Sequence, residues 1–133
     1  AGDMVAPETL DAFTGISGFH FVFGNNEYDH PALRARAAAL SLHCHDHYAD
    51  LTLAAKRVAL LHGHDDALLH RTTRSGDFQY VVHGHTHLRK DQRVAGTRVI
   101  NPGALQRAKV KSVALLDLTT DELRFLELPP QNP

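Results

Sequence analysis

Short apolar runs alternate along the chain with polar, glycine-bearing turns, and this rhythm predicts most of its elements. His20-Phe21-Val22-Phe23 reads as a short buried strand, cut off by Gly24-Asn25-Asn26-Glu27. Leu51-Thr52-Leu53 and Lys56 to Leu61 meet across Ala54-Ala55, the pattern of two strands joined by a tight turn. Tyr80-Val81-Val82 is a further buried strand. More strands follow around Gln92–Val94, Arg98–Ile100, Ser112–Leu118 and Leu123–Leu128. Three helices are expected. Pro7 to Phe13 carries proline in its first turn, where the missing N–H does no harm, and Gly15 and Gly18 close it. Pro31 to Leu40 is alanine-rich with arginines on one side, and Asp65 to Arg74 stops at Gly76. Helices and strands mix early and strands alone follow, which two packed sheets with helices outside would satisfy.

One regularity changes this picture from a fold into a site. Three times an apolar strand runs straight into a glycine turn holding amide, carboxylate or imidazole groups: HFVF-GNNE, VALL-HGHDD and YVV-HGHTH. Ala1-Gly2-Asp3 reads as the end of a fourth strand of this kind. Ligands in α/β folds gather beyond the carboxyl ends of strands, so four such turns at one sheet edge would converge.

Composition narrows the class. With 133 residues, 43% apolar and 22% charged, the chain suits a single domain over residues 1–133 with a real core. The net charge of −1 offers no basic surface, so nucleic acid is not an expected partner. Cys44 is the one cysteine, which excludes an internal disulfide. No apolar run reaches membrane-spanning length and no signal-peptide pattern opens the chain, so a cytoplasmic protein is expected.

Eleven histidines are several times ordinary usage, and most sit in three clusters. In Gly84-His85-Thr86-His87, two imidazoles one residue apart after a strand can face one point, and neutral imidazole is the commonest metal ligand. His62-Gly63-His64 is similar in kind, and each turn alone matches by chance often enough to be only a polar loop. Asn25 alone is a turn residue. Together in this order, Asp, Asn and His form an oxygen-and-nitrogen set without thiolate, which suits Mn, Fe, Co, Ni or Zn. A central carboxylate can bridge two cations, and metals about 3.5–4 Å apart serve in-line displacement at phosphorus. Neither Ser75 nor Cys44 has a plausible base in a credible turn, so nucleophilic catalysis has no competing constellation.

The ordered set GD, GNNE, HGH and GHTH, closed by Asn101-Pro102-Gly103, resembles the calcineurin-like metallophosphoesterases from residue 1 to about residue 118. Within them it is similar to the small YfcE-like prokaryotic phosphodiesterases, whose scaffold is shared by a eukaryotic retromer subunit. The resemblance implies a four-layer αββα sandwich and divalent metal ions, manganese foremost. It implies a small phosphodiester or phosphomonoester substrate, no membrane, and a homo-oligomer as an admissible assembly. By position, Asp3 would bridge the two metals. Asn25, His62 and His85 would complete the second metal, and His87 would belong to the first. Asn26 stands where larger relatives carry a histidine that protonates the leaving group. An amide cannot supply that proton, so substrates with good leaving groups are expected, with His64 an alternative donor. Glu27 would support its neighbours.

The family also opens with an Asp-x-His strand that supplies two ligands of the first metal, and no such motif precedes Asp3. The expectation is a sandwich lacking its first strand, with the second metal's ligands complete and the first keeping only Asp3 and His87. A longer parent chain, a strand donated by another molecule, or a one-metal or inactive relative would each account for this, in that order. The rival function is a non-catalytic interaction scaffold on the same fold, which would need an apolar surface patch.

Other histidines and cations are read blandly. His43, His45 and His47 alternate as a solvated strand face would, although one face could bind a metal. His83 is packed or supportive, His30 starts a helix, and His70 lies on a helix surface. Arg89, Lys90 and Arg93 form a solvated hairpin, while Arg107 and Lys109 are in place to lie near a substrate phosphate.

Overall fold

A computed structural model describes residues 1–130 of the chain. Its largest sheet has five strands, in the order β3 (Tyr48–Leu53), β4 (Lys56–Leu61), β5 (Tyr80–Val82), β7 (Thr97–Asn101), β6 (Lys90–Val94). β4, β5 and β7 run parallel at the centre, and antiparallel β3 and β6 close the two edges. The alternation of side chains sets the packing. Ala59, Leu61 and Val81 face one side and meet Leu68 and Leu69 of helix α2 (Asp66–Arg74), together with Phe78. Val58, Tyr80 and Ile100 face the other side. They meet Leu116, Leu118 and Leu123 from the hairpin β8 (Ser112–Asp117) and β9 (Glu122–Glu127).

A second core forms where the parallel pair β1 (His20–Phe21) and β2 (His43–Cys44) meets helix α1 (His30–Ala39) and a 3₁₀ helix over Pro7–Phe13. Leu10, Phe21, Phe23, Leu33, Ala37 and Leu42 are buried there. Both α helices start on an aspartate cap. Asp29 Oδ1 accepts from the Ala32 N–H at 2.9 Å, and Asp65 Oδ1 accepts from the Leu68 N–H at 2.9 Å. A mixed α/β fold, with a central sheet and helices packed against it, is the class the resemblance implied.

Several expectations need correction. Ala1-Gly2-Asp3 is not itself in a strand: Gly2 and Asp3 have φ of 90° and 59°, in the left-handed region of a turn. The strand expected over His20–Phe23 pairs regularly only at His20–Phe21, because β2 offers only two residues. Val22 and Phe23 stay buried, and the Phe23 N–H continues the contact by donating to the Asp46 carbonyl. β3 begins at Tyr48 instead of Leu51, since its register with β4 runs unbroken from Tyr48 against Leu61 to Leu53 against Lys56. Of the alternating histidines, only His43 lies in a strand. It sits opposite His20, which makes this less a solvated face than a contact between two strands.

Candidate metal centre

The turns after Phe23, β4 and β5 lie together, and the segment Ala1–Met4 lies across them. Two glycines allow this approach. A Cβ on Gly24 would stand 2.1 Å from Asp3 Oδ1 and 2.7 Å from the Asp3 nitrogen. One on Gly2 would stand 2.5 Å from His62 Nδ1 and 2.9 Å from the Gly24 Cα. Backbone meets backbone here, so any side chain would push the turns apart.

Buried Glu27 ties the same two turns. Its carboxylate accepts from the Met4 N–H at 2.7 Å and from the Gly24 N–H at 2.8 Å. Asp3 is held from the other direction. Its Oδ1 accepts from the N–H groups of Asn25 and Asn26 at 3.2 and 3.3 Å, and its Oδ2 accepts from Asn26 Nδ2 at 2.8 Å.

His62, 3% exposed, is the centre of the group. Its Nδ1–H donates to the Ala1 carbonyl at 2.7 Å, which fixes the tautomer with the lone pair on Nε2. Burial pushes its pKa down, which keeps the ring neutral, although the Ala1 carbonyl and Asp3 both pull the other way. Nε2 then faces Asn25 Oδ1 at 2.9 Å, His85 Nδ1 at 3.2 Å and Asp3 Oδ1 at 3.5 Å. Asn25 Oδ1, His85 Nδ1, Asp3 Oδ1 and His62 Nε2 thus converge as a set of oxygen and nitrogen donors of the kind a divalent cation takes. The spacings fit as well: ligands bound at about 2.1 Å lie about 3.0–3.4 Å apart around tetrahedral or octahedral ions. Three His, Cys, Asp or Glu side chains alone do not compose a metal cage anywhere among the described residues. The group here needs the Asn25 amide as its fourth member. The residues present fit a divalent cation.

The five expected metal ligands do not all assemble. Asp3, Asn25, His62 and His85 come together, whereas the His87 ring turns to the Arg107 carbonyl at 3.3 Å. Both histidines of the GHTH turn have positive φ, 66° at His85 and 60° at His87. Of the expected catalytic pair, Asn26 is committed to Asp3. Exposed His64 stands at the rim, its ring centroid 5.4 Å from that of His62 and 6.1 Å from that of His85.

Asn101 does more than shape a turn. Fully buried at the end of β7, it donates from Nδ2 to the Gly84 carbonyl at 2.9 Å and to Thr86 Oγ1 at 3.1 Å. Its Oδ1 accepts from the Gly103 N–H, so one amide braces the GHTH turn against the next loop. An asparagine directly after the expected strand Arg98–Ile100 is the signal that could have shown this. His83, 3% exposed, likewise donates from Nδ1 to the Gly84 carbonyl at 3.1 Å, in keeping with a packed, supportive histidine.

Comparison with known proteins bears on the family and the fold. The profile of the calcineurin-like phosphoesterase superfamily domain matches residues 1–121. The chain belongs to that superfamily. It is 24% identical over 131 residues to phosphodiesterase MJ0936 of Methanocaldococcus jannaschii, an alignment covering 96% of this chain and 79% of the relative. Among solved structures, an archaeal phosphodiesterase superposes with a TM-score of 0.88 at 24% identity, over 96% of this chain and 79% of that one. Vps29 of Entamoeba histolytica, solved with zinc, gives 0.55 at 20% identity over 92% and 82% of the two chains. At these identities the superpositions show a shared fold.

Proposed function

We propose that the protein is a metal-dependent phosphoesterase acting on phosphodiesters, with Asp3, Asn25, His62 and His85 holding a divalent cation, manganese first among them. The observation that carries this reading is the convergence of Asn25 Oδ1, Asp3 Oδ1 and His85 Nδ1 on buried His62 Nε2. A second cation, which the resemblance gives to Asp3 and His87, would need the His87 ring to leave the Arg107 carbonyl and further donors besides. When bound, the cations lower the pKa of water and polarise a phosphoryl oxygen.

The chain's own residues supply the rest. The Ala1 carbonyl fixes the His62 tautomer, and such supporting bonds raise ligand basicity and hold ring orientation. Asn26 orients the Asp3 carboxylate, and Glu27 fixes the two backbone turns on either side of it. His64 lies at the exposed rim, where it protonates the departing alkoxide as a general acid. For a phosphate reaching this rim, Arg107 and Lys109 lie on the loop between β7 and β8, whose Arg107 carbonyl meets the His87 ring. No helix among the described residues is long and apolar enough to cross a membrane, and a small phosphodiester or phosphomonoester is the substrate class proposed.

A scaffold reading has one observation in its favour. Val113, Leu115, Leu126 and Leu128 are 37–49% exposed on the β8–β9 hairpin, an apolar strip of the kind a partner would cover. The donor group at His62 has no role in that reading, which is why the enzyme is preferred.

The test is hydrolysis of bis(p-nitrophenyl) phosphate with Mn²⁺ titrated in, alongside metal stoichiometry. Mn²⁺-dependent turnover that falls by at least about 100-fold in Asp3→Asn and His85→Asn supports the reading, since even outer-shell losses cost 10- to 100-fold. Folded protein that binds Mn²⁺ without turnover would favour the scaffold.

A further inference from the structure

The turns that build the centre lead into apolar side chains that neither core uses. Among the large apolar residues described, Tyr28 at 88% and Leu88 at 71% are the two most exposed. Tyr28 directly follows the GNNE turn, and Leu88 directly follows GHTH. Val5 and Leu105, 53% and 49% exposed, come two residues after Asp3 and two after Gly103. A single exposed leucine is ordinary, whereas four such side chains on the loops around one donor group mark a binding rim.

Hydrogen bonds sort the four into two sides. Glu27 accepts from the Met4 N–H at 2.7 Å, which brings together the segments carrying Val5 and Tyr28. His87 Nδ1 meets the Arg107 carbonyl at 3.3 Å, which ties the segment carrying Leu88 to the loop carrying Leu105. The donor group spans the division. Asp3 and Asn25 come from the first side and His85 from the second, and His62 Nε2 meets Asn25 Oδ1 at 2.9 Å and His85 Nδ1 at 3.2 Å. The second side is also basic: residues 101–111 include Arg107 and Lys109 and no acid. Apolar side chains around a few placed polar and charged groups are the usual make-up of a small-molecule site, and here they suit an organic anion.

We propose that this rim selects phosphodiesters whose ester groups are aromatic rings, one seated against Val5 and Tyr28 and the other against Leu88 and Leu105. The phosphate then lies at the donor group between them. The proposal rests on the phosphoesterase reading and adds the organic part of the substrate to it. A diester carries two such groups and a monoester one, so a two-sided rim favours diesters. A flat ring also gains from the Tyr28 ring by offset stacking or edge contact, which an alkyl group does not.

The test separates the retained group from the leaving group. p-Nitrophenyl phenyl phosphate and p-nitrophenyl methyl phosphate release the same p-nitrophenolate, so a difference between them reports the retained group alone. With Mn²⁺, the phenyl ester should have a kcat/KM at least about 10-fold higher, carried by KM, as partial burial of a phenyl ring predicts. At least one of Tyr28→Ser and Leu88→Ser, both at mostly solvent-exposed positions, should bring that ratio down toward one. Calorimetric titration with diphenyl phosphate and dimethyl phosphate reads the same preference without turnover, and there both variants should weaken the diphenyl ester. Equal affinity for these two esters, or a preference that survives both variants, would overturn the proposal and leave the rim to a macromolecular partner. Absent turnover with the aryl preference intact would sink the phosphoesterase reading alone.

Discussion

At the scale of single residues, the centre depends on space that only glycine leaves. Gly24→Ala puts a methyl group 2.1 Å from Asp3 Oδ1, against backbone that cannot rotate away. It should destabilise the fold by about 1–3 kcal/mol, the usual cost of overpacking, and weaken Mn²⁺ binding. Denaturant unfolding and metal titration check the two effects separately. Glu27 is the other fixed point. As glutamine it keeps one acceptor oxygen and turns an NH₂ toward the remaining N–H, so one buried donor loses its partner. Glu27→Gln should cost about 1–3 kcal/mol in chemical denaturation. His64 allows a test of mechanism. If it protonates the leaving group, His64→Gln should leave p-nitrophenyl esters nearly untouched. Alkyl phosphodiesters should slow by at least about 100-fold, because only a poor leaving group needs the proton.

At the scale of elements, the thin pair β1–β2 is where pH acts. Burial and neighbouring imidazoles hold the pKa values of His20 and His45 below their ordinary 6.5. The unfolded chain therefore binds more protons than the folded one below that value. Stability from this pair is complete above pH 6.5 and declines as pH falls through the folded-state values. His45→Phe removes one of the two titrations and one of the imidazoles that repel a proton on His20. Melting curves of the unmodified chain should fall more steeply between pH 6.5 and 5 than those of the variant. Helix α1 offers a simpler prediction. Leu33 is fully buried between the helix and β1, and Leu33→Ala should cost about 2–5 kcal/mol in denaturant unfolding.

Across the whole molecule, cation binding and folding are linked, since Asp3, Asn25, His62 and His85 come from four separate segments. Mn²⁺ at a hundred times its dissociation constant should add about 2.7 kcal/mol of stability, read as a rise in melting temperature that His85→Asn abolishes. The sequence by itself determined most of the strands, though not β2 or the start of β3, along with the three strand-to-turn repeats and the residues offering oxygen or nitrogen, and it predicted both α helices within a residue. Those features follow from burial patterns and turn chemistry acting over about ten residues. It also placed Asn25 and Asn26 in one turn, where the resemblance gave Asn25 to the metal and Asn26 to the leaving-group position. Tertiary structure decided that Asn25 meets His62 while Asn26 holds Asp3. It also parted His85 from His87 and brought His20 to His45. Each outcome depends on where a side chain points once φ at its own position and register with a distant strand are set, and no local pattern of hydrophobic and polar residues encodes either.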